Sequence, residues 1–171
     1  RGMSSAASDV YKRQCHNLMA SPKVKKHKHY NYTSIGWREW IYLPKFDDFA
    51  IKAKVDTGAR TSALHATHIK EYDSNGKKLV SFSLHQSNKK INISTRLISY
   101  LKITNSFGDS EIRPLIRIKI RLGERSWFTE VTLTQRTRMT YPMLIGRNTL
   151  MKKYLIHSHK SYLTGKNKLI T

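Results

Sequence analysis

The stretch FAIKAKVDTGA, residues 49–59, decides the fold. Its apolar side chains recur at every second position up to Val55, which is the period of a half-buried β-strand. Asp56 follows directly, so this strand carries a carboxylate to its tip. Gly58 allows the backbone to approach a ligand or a second copy of the loop, and the Thr57 hydroxyl can hydrogen-bond across it. The segment therefore predicts a strand that presents an acid at one end of a sheet.

An Asp-Thr-Gly tripeptide alone does not decide the function. It is also typical of a turn between a strand and a helix, in which Asp56 accepts hydrogen bonds from backbone amides. A second segment, PMLIGRN at residues 142–148, narrows the choice. It has apolar residues, then Gly, Arg and Asn, and it leads into a short predicted helix.

The rest of the chain repeats the period of two. Further strands are predicted around residues 80–84, 91–97, 116–122 and 127–133, with turn residues at 74–76, 105–109 and 122–124. Two short stretches, residues 61–68 and 147–154, are predicted to be helical. The pattern predicts a mainly β domain of short antiparallel strands, most simply a small closed or partly closed barrel.

Length and composition limit the alternatives. The chain has 171 residues, 39% of them hydrophobic, which suits one soluble globular domain. It has 32 basic and 11 acidic residues, a formal charge of +21 that predicts an anionic partner. A single cysteine, Cys15, excludes an internal disulfide framework and a multi-cysteine zinc cluster. We find no signal peptide and no membrane span, and we therefore expect a cytoplasmic protein.

The composition also divides the chain. Residues 1–34 carry seven basic residues and one acidic residue without a hydrophobic period, which predicts a disordered basic arm. Residues 1–14 resemble an adapter-derived peptide that recurs at the ends of gene models, so they are left out of the fold prediction as non-native. Residues 35–165 are predicted to form the folded domain, and residues 166–171 a tail.

Both key segments resemble retropepsins, the single-lobe aspartic proteases of retroviruses. The order is the same: a strand into Asp-Thr-Gly-Ala, a β middle that bears the flap, then the apolar-Gly-Arg-Asn segment. Wider stretches (35–40, 52–65, 112–114 and 132–136) are similar to one bacterial branch. That branch was formerly described as ATP-dependent zinc proteases and is now regarded as RimB-like, retropepsin-like aspartic endopeptidases. Some members are encoded beside RimK-type ATP-grasp glutamate ligases. The resemblance covers about residues 35–163.

The resemblance implies a closed retropepsin-like barrel with one or two short helices, and peptide hydrolysis by a water held between two Asp carboxylates. This chain has one Asp-Thr-Gly, so the mechanism requires a homodimer that contributes Asp56 twice. The catalytic residues implied are Asp56, Thr57 and Gly58. The implied support of the active loop is Leu144, Ile145, Gly146 and Asn148. Candidate substrate-binding residues are Ala59, Arg60, Arg113, Arg136 and Arg147.

Arg60 departs from the retroviral pattern, which usually has an acid at this point. A guanidinium there would favour the ionised carboxylate of Asp56 or bind a substrate carboxylate. It could equally form a structural salt bridge to Glu39 or Asp47. The identity of the flap is also left open, since residues 105–109 and residues 75–90 are both eligible to form its tip.

The partners implied are a polypeptide substrate, including the glutamate-rich tail of a ribosomal protein, and a functional link to the ATP-grasp ligase. No cofactor is expected. Two other functions remain open. One is a non-catalytic basic β-barrel that binds RNA or the ribosome, with Asp56 as a structural turn residue. The other is a zinc peptidase that uses His65 and His68 beside Asp56, although an HExxH pattern is absent. The row of cations Arg117, Lys119 and Arg121 is expected to form a solvated face of a strand.

Overall fold

The computed structural model describes residues 32–104, 108–135, 140–150 and 153–165. The following elements lie within those ranges: β1 (Thr33–Leu43), β2 (Phe49–Val55), β3 (Ser62–His65), β4 (Thr67–Ser74), β5 (Lys77–Gln86), β6 (Lys89–Thr104), β7 (Ser110–Leu122), β8 (Arg125–Thr134), β9 (Met143–Ile145), helix α1 (Arg147–Leu150) and β10 (Tyr154–Ser161). The predicted mainly β fold is confirmed.

The strands follow the order β10-β1-β2-β9-β3-β8-β7-β6-β5-β4. An additional pairing between Tyr42 of β1 and Arg121 of β7 closes β1, β2, β9, β3, β8 and β7 into a six-stranded barrel. We call the strands β4, β5 and β6, which continue the sheet beyond β7, the arm. The inward rows of the barrel strands form an apolar core that includes Ile41, Ile51, Ile116 and Ile145. Closure of the barrel fixes the positions of both ends of β2.

The prediction of a helix over residues 61–68 is wrong. Residues 62–65 form β3, which pairs in parallel with β8 and antiparallel with β9, and residues 67–74 form β4. Pairing on both edges of β3 satisfies its backbone as a strand and buries Ala63 and Leu64. The helix expected over residues 147–154 is shorter, because α1 ends at Leu150 and β10 begins at Tyr154.

The final described segment packs on β1. The carboxylate of Glu39, which is fully buried, accepts hydrogen bonds from the amides of Gly36, Leu163 and Thr164 and from the Thr164 hydroxyl. Glu39 therefore holds residues 163–164 against the barrel.

Some predictions fall partly outside the description. Of the N-terminal residues 1–34, which were predicted to be basic and disordered, residues 1–31 lie outside the described ranges, while Thr33 and Ser34 begin β1. The predicted tail at 166–171 and residues 105–107 of one flap candidate also lie outside them. Among the segments that the structure does describe, no helix has the length and hydropathy needed to cross a membrane.

Candidate active site

Asp56 lies at the end of β2, beside β9. Val55 pairs in parallel with Ile145, and the Asp56 amide donates a hydrogen bond to the Ile145 carbonyl at 2.9 Å. The same β9 strand pairs on its other edge with Ala63 and Leu64 of β3. The chain therefore leaves the barrel at β2, forms the Asp56 loop, and returns as β3 on the opposite side of β9.

The loop holds its own carboxylate. Asp56 Oδ1 accepts hydrogen bonds from the amides of Gly58 at 3.0 Å and Ala59 at 3.2 Å. Asp56 is half-buried, whereas Thr57 and Gly58 are exposed. Both amide bonds end on Oδ1, so they orient the carboxylate at a surface that a peptide or a second copy of the chain can reach. This hydrogen bonding fits the structural-turn interpretation as well as the catalytic one.

The Arg147 side chain binds the outer part of the loop. Its Nη1 donates hydrogen bonds to the carbonyl of Thr57 and, at 3.0 Å, to that of Gly58. The sequence predicted a substrate contact for this residue, and the structure brings its guanidinium to the loop backbone. Arg147 therefore acts on the position of the Asp56 loop, and a substrate contact for it stays a prediction.

The Gly-Arg-Asn segment also binds the loop through its backbone. The amide of Arg147 donates to the Ala59 carbonyl and that of Asn148 to the Arg60 carbonyl, both at 3.0 Å. Gly146 is pressed against the loop, since a Cβ atom there would lie 2.6 Å from the Thr61 carbonyl carbon. Only glycine allows this approach without displacing the backbone.

A buried row of hydroxyls lies behind the loop, and the sequence analysis missed it. Ser62 Oγ accepts a hydrogen bond from the Gly146 amide at 2.9 Å and bonds to Thr149 Oγ1 at 2.6 Å. Thr149 Oγ1 also bonds to Thr129 Oγ1 at 2.8 Å, and Thr132 Oγ1 donates to the Ser62 carbonyl. All four residues are buried. A threonine at the inward position 129, between Trp127 and Val131, was the available signal, because a polar group in a core needs a buried partner.

The other predicted substrate-binding residues differ in their burial and contacts. Arg60 is exposed next to the loop, and Ala59 is half-buried within it. Arg113 is buried in β7, where its guanidinium pairs with Glu111 at 2.8 Å. Arg136 lies outside the described residues. The structure thus brings the Arg147 guanidinium to the Asp56 loop, leaves Arg60 exposed beside that loop, and pairs Arg113 with an acid of its own strand.

The suggested salt bridge between Arg60 and Glu39 is replaced by other contacts, since Glu39 binds the 163–164 segment. The two histidines do not share a helical turn. His65 ends β3, and His68 lies in β4 with a positive φ of 53° and its Nδ1 at 3.1 Å from Thr67 Oγ1. Across the described ranges, no group of three or more His, Cys, Asp or Glu side chains is arranged to hold a metal ion.

A cavity of about 550 Å³ lies at the opposite end of β2 from Asp56. It is lined by Phe46, Phe49, Ala50 and Ile91 and by polar residues of the turn between β5 and β6. Since β2 separates it from the Asp56 loop, we assign this cavity no part in the candidate active site.

Comparison with known proteins gives a family match. The family described as retropepsin-like aspartic endopeptidase RimB, or RimB-like, matches residues 34–167. A crystal structure of a protein of unknown function from Legionella pneumophila superposes with a TM-score of 0.68 at 26% identity. That superposition covers 77% of this chain and 98% of the Legionella chain.

Curated relatives carry a different name. A probable alpha-L-glutamate ligase from Shewanella pealeana is 40% identical over 135 residues, which are 77% of this chain and 30% of the relative. A probable alpha-L-glutamate ligase from Desulfotalea psychrophila is 36% identical over 126 residues, or 71% and 27% of the two chains. This chain therefore spans about 30% of the length of the curated relatives that it matches.

Proposed function

This chain belongs to the RimB-like family of retropepsin-like aspartic endopeptidases, and from that membership we propose that it hydrolyses peptide bonds with Asp56. The observation that carries the proposal is the position of Asp56 at the tip of β2. Its Oδ1 is oriented by two amides, and the adjoining Thr57 and Gly58 are exposed. A carboxylate fixed at such a surface can bind and polarise a water molecule.

The active form is a homodimer. The chain has a single Asp-Thr-Gly sequence, so a second carboxylate must come from the Asp56 of another copy across a two-fold axis. Two carboxylates that lie this close together share one proton. One of them takes a proton from the attacking water as general base, and the other protonates the oxygen of the scissile carbonyl.

The substrate is an acidic or glutamylated polypeptide tail, including that of a ribosomal protein. Two observations support this class: the exposed Arg60 beside the loop and the charge of +21 on the chain. Arg60 would bind a side-chain carboxylate through a bidentate pair. The similarity to proteins named as glutamate ligases is consistent with a protein that acts on glutamate-rich products. The reaction needs no cofactor and takes place in the cytoplasm.

The test is Asp56→Asn, which keeps the shape of the side chain but removes the charge. We expect peptide cleavage to fall by about 10³-fold, within the range of general acid–base catalysis. Asp73→Asn, at an exposed position of β4, is the matched control and should leave cleavage unchanged. Cleavage of a peptide with an oligoglutamate tail is the measurement, with circular dichroism and sedimentation confirming fold and assembly. Cleavage retained by Asp56→Asn would contradict the aspartic mechanism.

Mixing tests the requirement for two copies. If each dimer needs both carboxylates, an equal mixture of native and Asp56→Asn chains that exchange freely has about one quarter native dimers. Activity per total protein should fall to that fraction, whereas independent monomers would keep half. A value of one half would refute the shared site while leaving the role of Asp56 intact.

A further inference from the structure

The outer surface of the barrel carries a row of cations beside an exposed aromatic ring. On β7, Arg117, Lys119 and Arg121 alternate with buried isoleucines. Across the pairing with β8, Lys119 stands opposite Phe128 and Arg117 stands opposite Glu130. Cross-strand partners share one face of a sheet, so Phe128 lies on the same face as the cations.

Phe128 is the centre of this surface. The residue is 47% exposed although it is a large hydrophobic side chain. Lys45 Nζ lies 5.5 Å and Arg117 Cζ lies 5.4 Å from the centroid of its ring. With Lys119 opposite, three cations surround the ring. We call Lys45, Arg117, Lys119 and Phe128 the basic–aromatic face.

The acids nearby do not neutralise this face. Asp48 pairs with Arg121 at 3.0 Å, and the Arg121 guanidinium stacks on the Tyr42 ring at 4.2 Å. Glu130 is the cross-strand neighbour of Arg117. Of the β8 residues that pair with Arg117, Lys119 and Arg121, Glu130 alone is acidic, so cations outnumber acids along this row.

We propose that the basic–aromatic face binds single-stranded nucleic acid. An exposed base would stack on the Phe128 ring, while Arg117 and Lys119 contact the phosphates on either side of it. The Lys45 ammonium, on its flexible stem, would leave the ring and bind a phosphate as the base arrives. An acidic peptide also satisfies the cations, but its carboxylates have no π-face to offer Phe128. A duplex keeps its bases stacked inside, so it cannot use the ring.

The face adjoins the candidate active site. A groove of about 300 Å³ is lined by Arg117, Phe128, Thr129 and Glu130 together with Thr61 and Asn148. The Asn148 amide binds the Arg60 carbonyl of the Asp56 loop. A nucleic acid on this face would therefore lie next to the residues that support that loop. The binding does not depend on the proposed peptidase activity.

The experiment measures fluorescence anisotropy of a labelled oligouridine over a range of salt concentrations. Phe128→Ala should weaken binding about tenfold by removing one stacking interaction. The double variant Arg117→Gln, Lys119→Gln should lower the slope of log K against log salt by about 1.4. The matched control Lys77→Gln, Lys78→Gln removes the same charge from an exposed part of β5 and should leave affinity and slope unchanged. Phe128→Trp should retain binding.

Other probes separate the alternatives. Oligothymidine of equal length should bind with the same dependence on Phe128, and duplex RNA should bind more weakly and without that dependence. Equal losses in the β5 control and the face variants would overturn the proposal, as would an absence of oligonucleotide binding. Preferred binding of an oligoglutamate peptide, with the same loss in Phe128→Ala, would reassign the face to an acidic polypeptide. Asp56→Asn should bind oligouridine like the native chain, which distinguishes this site from the peptidase.

Discussion

The Asp56 loop and the arm are both parts of one sheet, yet they are held in different ways. The loop is fixed by β9, by the Arg147 guanidinium and by the buried hydroxyl row that begins at Ser62. In the arm, β4 is exposed along most of its length, β5 and β6 bury residues such as Val80 and Ile93, and the hydrogen bond between Thr104 of β6 and Ser110 of β7 faces the solvent. The hydroxyl row behind the loop is thus buried, whereas the Thr104–Ser110 bond at the edge of the arm is exposed to water.

The difference matters for function because a catalytic carboxylate must be held in one geometry before the substrate arrives. A hydrogen bond that is lost inside a protein leaves an unsatisfied polar group, whereas one that is lost at the surface is replaced by water. The buried contacts behind the loop should therefore respond strongly to small changes, and the exposed positions of the arm should tolerate them. Three substitution pairs test this contrast.

The largest effect is expected from Gly146→Ala. The new Cβ would lie 2.6 Å from the carbonyl carbon and 2.8 Å from the carbonyl oxygen of Thr61, and both atoms belong to the backbone. Since neither can rotate away, we expect a loss of about 3 kcal/mol in the free energy of unfolding, measured by urea denaturation. Gly76→Ala is the control in the turn between β4 and β5. Nothing lies near its Cβ position, and its φ of +69° alone should cost about 1 kcal/mol. Equal losses would remove the distinction between the two regions.

A smaller effect is expected from Thr149→Val, which keeps the shape of a buried side chain. The substitution removes the hydroxyl that joins Ser62 to Thr129, so we expect a loss of about 2 kcal/mol in the free energy of unfolding. Thr104→Val removes the exposed hydrogen bond between β6 of the arm and Ser110 of β7, and it should change that free energy by less than about 0.5 kcal/mol. A Thr149→Val protein as stable as the control would show that the hydroxyl row contributes nothing net.

The contrast also explains what the sequence could predict. Alternation located β2 and, in the arm, β5 and part of β6, because an inward apolar row has a period of two wherever it occurs. It missed β4, whose first residues lie in the stretch predicted to be helical. It could not locate β3, whose four residues are fixed as a strand only by pairing with β8 and β9. The contact of Arg147 with the Thr57 carbonyl joins residues 90 positions apart, and nothing local encodes it. The candidate site residues were chosen by motif, whereas the contacts that hold them depend on tertiary structure.

The smallest effect is a shift in ionisation, and it compares two tyrosines. In the arm, the Tyr100 hydroxyl donates a hydrogen bond to Glu71, which raises the pKa of Tyr100. On β10, which pairs with barrel strand β1, burial raises the pKa of Tyr154. Glu71→Gln should lower the pKa of Tyr100 toward its usual value, because the phenolate would no longer stand beside a carboxylate. The pKa of Tyr154 should not move.

Ultraviolet titration of the phenolates measures both, with Tyr100→Phe and Tyr154→Phe identifying each transition. The dependence of stability on pH tests the same two tyrosines. A buried phenol with a raised pKa stays neutral in the folded state while the unfolded chain ionises, so stability falls as the pH rises above about 10. Tyr154→Phe should reduce that fall. Tyr100→Phe should reduce it as well, because the pKa of Tyr100 is also raised in the folded state, and Glu71→Gln should remove the Tyr100 part alone. If the effect of Tyr100→Phe were the same in the Glu71→Gln background, the Glu71 contact would not be what raises the pKa of Tyr100.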